Sequence, residues 1–150
     1  MEQKRLSAIL LAAGMLAVLG VCAAEGMMTG YLSAQTNLKS VLPMLCMLWA
    51  AGLAFLAALY QYARICVNIG HGMSFCRENA QRMKRISILL AAAAVFGFIA
   101  CVGLLAAAQT GWLLSGLAGL ACAAMSMLAF VLHKLLKNAA ELKDENDLTI

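Results

Sequence analysis

Cysteine, histidine and the acids are the side chains here that could ligate a metal, ligate haem or drive proton or acyl transfer. Their spacing argues against each. Six cysteines stand at Cys22, Cys46, Cys66, Cys76, Cys101 and Cys122. No two form a CxxC pair, and zinc sites rely on closely paired ligands. Buried cysteine otherwise packs as a small hydrophobe. Cys22 and Cys46 fall near the same end of two neighbouring apolar runs, which leaves a disulfide between them open. Cys76 stands between Ser74 and Arg77 at a helix start and is a candidate redox sensor. His71 and His133 lie outside the apolar runs, whereas haem ligation in a bundle needs facing histidines within it. Glu25 and Gln61 sit at the ends of runs and Gln109 in a short connection, so no acid or base is expected deep in a run. Pumps and proton-coupled transporters usually keep such an intramembrane charge. The sequence has no Ser-His-Asp pattern, no HExxH and no phosphate loop. It therefore predicts no catalytic residue, no metal site, no cofactor and no enzyme activity.

The elements that carry these residues follow from composition. Of 150 residues 64% are hydrophobic and 12% charged, against roughly half and about a quarter in a soluble domain. The excess lies in four charge-free runs, 6–24, 41–63, 86–108 and 111–132, each near the ~20 residues a helix needs to cross a bilayer. They are rich in Ala and Leu and do not alternate apolar with polar, which argues for helices over a barrel. The predicted fold is all-α: one polytopic domain, 1–150, with four transmembrane helices in an antiparallel bundle and a tail at 133–150. The first run has a signal peptide's outline, with Lys4 and Arg5 before it and Val21-Cys22-Ala23 near its end. Its apolar stretch exceeds the 7–15 residues of a typical signal core, so it is taken as a retained span. A lipoprotein site at Cys22 would want a small residue where Val21 stands.

Basic residues mark the cytoplasmic side. With the N-terminus inside, that side holds Lys4, Arg5, Arg64, Arg77, Arg82, Lys84, Arg85, Lys134, Lys137 and Lys143, and only Lys39 of the eleven basic residues lies outside. This predicts both termini in the cytoplasm. The net charge of +4 then serves topology and anionic lipid headgroups rather than direct nucleic-acid binding. Between the first two runs, 25–40 reads as an outer loop, with turn and cap residues Gly26, Gly30, Ser33, Thr36 and Asn37. Gln109-Thr110 alone joins the last two runs, which forces an antiparallel pair. Trp112 beside it suits a headgroup-level anchor. Pro43 is placed in a first helical turn, where its missing N–H costs nothing.

Membrane helices associate through small residues. Gly111, Ser115, Gly119 and Ala123 recur at every fourth position, and Ala93, Gly97 and Cys101 share that spacing. The two faces are expected to pack within the hairpin, with a homo-oligomer interface as the other use. In the basic segment 64–85, Gly70 and Gly72 break the helix leaving the second span. Ser74 is a candidate N-cap, Glu78 suits an early helical turn, and Glu78 and Arg82 are spaced to pair. The segment from Phe75 is expected to form an elbow helix at the membrane surface, or a docking surface for a cytosolic partner. Past the fourth run Leu132, Leu135, Leu136, Ala139 and Leu142 keep helical spacing. The end, Asp144-Glu145-Asn146-Asp147-Leu148-Thr149-Ile150, is acidic and then apolar. It is expected to fold back on the basic segment or to act as a short binding motif that adds a strand to a partner.

Two segments carry a family resemblance: Phe75-x-x-x-Asn79-x-x-Arg82-Met83-Lys84-Arg85-Ile86, and Glu141-Leu142-x-x-Glu145-Asn146-Asp147-Leu148-Thr149-Ile150. With the layout of nearly the whole chain they resemble a family of small bacterial four-helix membrane proteins, a domain of unknown function with YoaS-like members. Cys76-Arg77-Glu78 departs from the charged or proline-containing loop often found there. The resemblance implies an uncharacterised protein of the bacterial plasma membrane, often encoded beside a small Cro/repressor-type helix-turn-helix regulator. It suggests a membrane-bound partner that senses a signal and sequesters such a regulator, with Phe75, Asn79, Arg82, Glu145, Asn146, Asp147, Leu148 and Ile150 as contacts. A small oligomeric transporter or efflux subunit, and a lipid-sensing or structural accessory protein, are the alternatives.

Overall fold

The computed structural model describes residues 2–35, 38–71, 76–107 and 111–148, with side chains placed for most of them. Four helices follow in order: α1 (Glu2–Gln35), α2 (Leu38–Gly70), α3 (Arg77–Ala106) and α4 (Trp112–Leu148). All four are long and apolar enough to cross a membrane.

The helices outrun the apolar stretches that predict them. Most of the expected outer loop is helix, with Gly26, Gly30 and Ser33 inside α1. Isolated glycines cost a helix only about 1 kcal/mol each. The hydroxyls turn back on the helix, Thr29 Oγ1 donating to the Glu25 carbonyl at 2.7 Å and Ser33 Oγ to that of Gly30 at 3.0 Å. Thr36 and Asn37 lie outside the described residues. Because α2 starts ahead of its apolar run, Pro43 falls inside the helix and not in its first turn. The helix α3 is continuous from Arg77, and no separate elbow helix stands among the described residues. Its N-cap is Cys76, in extended conformation without a side-chain cap bond, with Glu78 in the first turn as expected; Ser74 and Phe75 lie outside the described residues. At the other terminus α4 carries the tail as helix through Leu148, where a strand-like end was one expectation.

Close backbone packing joins α1 to α2, α2 to α3 and α3 to α4, and no other helix pair among the described residues. The result is a four-helix bundle open along the α1–α4 side. Ser7 meets Gly70, and His133 meets Ala80, so the start of α1, the end of α2, the start of α3 and the late part of α4 share one end. Ten of the eleven basic residues belong to these segments, and it is called the basic end below. Ala58, Ile65, Ile86, Leu90 and Ala129 form one core cluster in that half. Leu32, Leu45 and Leu104, with Trp112 against them, form another toward the far end. Outside these clusters Met15, Leu19, Val102 and Met127 stand mostly exposed. Such an apolar girdle suits hydrocarbon, which solvates it as well as a protein core would.

Candidate functional site

Three arrangements concentrate the polar groups of the bundle. The tightest is the α3–α4 hairpin that the small residues predict. A Cβ on Gly97 would lie 3.4 Å from Gly119 Cα, so the two backbones touch. Ser115 Oγ donates to the Gly97 carbonyl at 2.9 Å. Cys101 lies against Gly116, where a Cβ would come within 3.1 Å of its Sγ, and Ala123 is half-buried. Gly111 has another role: its φ of +110° makes it the turn residue before α4, a conformation glycine adopts without a Cβ penalty. Two serines not singled out from the sequence complete the seam. Ser87 Oγ donates to the Ser126 carbonyl at 3.0 Å, and Ser126 Oγ to that of Ser87 at 2.8 Å. Ser87, the one serine of the run 86–108, and Ser126, the second of two in 111–132, were the available signal, since hydroxyls bond across membrane helices.

The second arrangement is a polar joint at the basic end. Asn79, expected as a partner contact, is only 1% exposed. Its Oδ1 accepts from Asn68 Nδ2 at 2.8 Å, which ties α2 to α3. Arg82 donates through Nη1 to Gln61 Oε1 at 3.0 Å and through Nε to Glu78 Oε1 at 3.2 Å. His133 Nδ1 lies 2.7 Å from the Ala80 carbonyl oxygen, tying α4 to the first turns of α3. Lys134 Nζ sits 5.1 Å from the Phe130 ring centroid. The motif residues of α3 thus hold helices together, and Asn79 is inside the joint rather than on a surface. The tail residues are placed differently: Glu145 and Asn146 are exposed on α4. Asp147 and Leu148 belong to that helix with side chains outside the described residues, and Ile150 lies outside them entirely. Cys22 and Cys46 are free and exposed, with no disulfide between them.

The third arrangement revises the expectation of charge-free spans. Glu25 is an internal residue of α1, ten before its end. Its carboxylate lies against Gly52 of α2, so closely that a Cβ there would collide with it. Gly52 is the midpoint of the charge-free run 41–63. An ionisable group thus reaches the middle of that run, where such a residue is a functional-site candidate by default. Among the described residues no hydrogen-bond donor or cation meets this carboxylate. It borders a cleft of about 340 Å³ between α1 and α4, floored by α2 and α3. Trp49 borders the same cleft and donates Nε1 to Thr29 Oγ1 at 3.3 Å. The sequence placed Glu25 at a span end because it closes the first charge-free run; the helix carries on for ten residues beyond it.

The search of curated proteins and that of solved structures each return no match. A family model described as a protein of unknown function, DUF2975, matches residues 28–150. The match takes in the end of α1 and all of α2, α3 and α4, and it begins after Glu25. Over that stretch the chain belongs to the DUF2975 family of proteins of unknown function.

Proposed function

We propose that the protein is a multi-pass protein of the bacterial plasma membrane with both termini in the cytoplasm. It acts there as a membrane-bound regulatory partner that senses a signal and sequesters a small cytosolic helix-turn-helix regulator. The reach of α4 is the observation that carries this. The helix has 37 residues, about 55 Å at 1.5 Å per residue, while the hydrocarbon core takes about 20 residues. With Trp112 as the headgroup anchor, the helix leaves hydrocarbon near residue 132 and continues to Leu148. Leu135 and Leu142, seven residues apart on one stripe of that extension, are exposed. Around them stand Lys134, Lys137, Glu141, Lys143 and Glu145. An apolar stripe flanked by charge is what a groove on another protein accepts. The distribution of basic residues supports the orientation, and the resemblance to proteins encoded beside such regulators supports the kind of partner. The polar joint through Asn79, Arg82 and His133 is the element by which a change in the bundle would move the extension.

A gentle-detergent pull-down from native membranes, read by mass spectrometry, tests it. The full-length chain is compared with one ending at Lys134, which keeps His133 and lacks Leu135 and Leu142. A small helix-turn-helix protein recovered with the full-length bait alone is the expected result. Failure of both baits to recover one would overturn the proposal.

A further inference from the structure

We infer that the cleft between α1 and α4 is a binding site for a lipophilic organic cation, with Glu25 as its counter-charge. The inference stands apart from the regulatory proposal and does not depend on it.

Three observations meet at one place. The cleft is almost wholly apolar, and its volume of about 340 Å³ falls in the range of small-ligand sites, which are mostly apolar with a few placed polar groups. Its one carboxylate is Glu25, held against Gly52 at the middle of the α2 run and met by no cation or donor among the described residues. A bare carboxylate at that depth is costly, and a bound cation removes the cost. Trp49, 48% exposed, borders the cleft beside Glu25 with its indole anchored by Thr29. An indole attracts organic cations through its ring face.

The remaining polar atoms narrow the ligand class. Thr29 Oγ1 is spent on the Glu25 carbonyl and Trp49. Ser115 Oγ is spent on Gly97. No basic side chain lines the cleft, so an anion or a phosphate-bearing headgroup has no partner there, and a neutral polar molecule finds few donors. A single positive charge on a bulky apolar body matches what remains. The gap between α1 and α4 gives such a ligand a lateral path from the bilayer, where its apolar body concentrates.

Equilibrium dialysis on the full-length chain in nanodiscs of zwitterionic lipid tests this, with methyltriphenylphosphonium as the cation and triphenylphosphine oxide as a neutral probe of similar shape. Empty nanodiscs correct for partition. The wild-type chain is expected to bind the cation saturably, one per chain, and more tightly than the neutral probe. Glu25→Gln is expected to weaken cation binding by about tenfold or more, since it removes a charge pair in a poorly screened site, and to leave neutral-probe binding unchanged. Ala118→Phe, which adds bulk to the α4 wall of the cleft, is expected to abolish both. Equal cation binding by the Glu25→Gln variant, equal affinity for both probes, or a wild-type cleft closed by lipid or a second copy with no saturable cation binding would each overturn the assignment. The Ala118→Phe arm decides the matter if the Glu25→Gln chain does not fold.

Discussion

Asn68 of α2 donates its side-chain amide to Asn79 of α3 across the basic end of the bundle, at 2.8 Å. The acceptor is one of the most completely buried polar residues described, so this bond is made where its loss leaves a partner unsatisfied. Asn79→Ala is expected to destabilise the bundle by about 1–3 kcal/mol. Reversible unfolding in mixed micelles measures this. An unchanged unfolding curve would show that the Asn68–Asn79 bond does not stabilise the bundle.

The reciprocal bonds between Ser87 and Ser126 lend themselves to a double-mutant cycle. Ser87→Ala, Ser126→Ala and the double variant are expected to give a coupling near 0.6 kcal/mol and no more than about 1.7, the range for interhelical bonds in membrane proteins. Zero coupling would mean that the two hydroxyls find equal partners when apart.

Gly97 separates two effects of side-chain size. A methyl there would meet Gly119 Cα at 3.4 Å, an ordinary contact, so Gly97→Ala is expected to be nearly neutral. Gly97→Leu has no such room and is expected to cost about 1–3 kcal/mol by overpacking. Equal effects of the two substitutions in the same unfolding assay would contradict direct backbone contact between α3 and α4.

Gly111 tests conformation rather than packing. At φ +110°, Gly111→Ala is expected to lose roughly 1–3 kcal/mol to backbone strain. A Cβ there would also come within 2.6 Å of Met28 Cε. Pairing the change with Met28→Ala is expected to relieve the contact and leave the strain. Full recovery in the double variant would show that the contact was the whole cost.

The sequence was most informative where hydrophobicity alone decides. Four charge-free runs place four helices, and fourfold spacing of Gly97, Ser115 and Gly119 locates their closest approach, because small residues are what lets membrane helices meet. It misled where charge marks a residue but not the end of a helix. Glu25 closes a charge-free run, yet α1 continues through Gly26 and Gly30, and the acid turns inward against Gly52. That pairing is between residues far apart in the chain, and no local pattern announces it. Asn79 misled in the opposite sense. A polar residue in a motif-like basic segment reads as surface, but its neighbour across the joint is Asn68, which the sequence did not single out. Gly111 fits the small-residue spacing by coincidence, since it lies one residue ahead of α4.

In the proposed function the α4 extension holds a cytosolic regulator at the membrane. The most direct test is the localisation of a fluorescently tagged small helix-turn-helix regulator in cells carrying either the full chain or one ending at Lys134, which lacks Leu135 and Leu142. The regulator is expected to sit at the membrane with the full chain, to move to the nucleoid with the truncated one, and to change transcription of its target as it does so. A regulator whose localisation and target transcription are the same in both strains would contradict it.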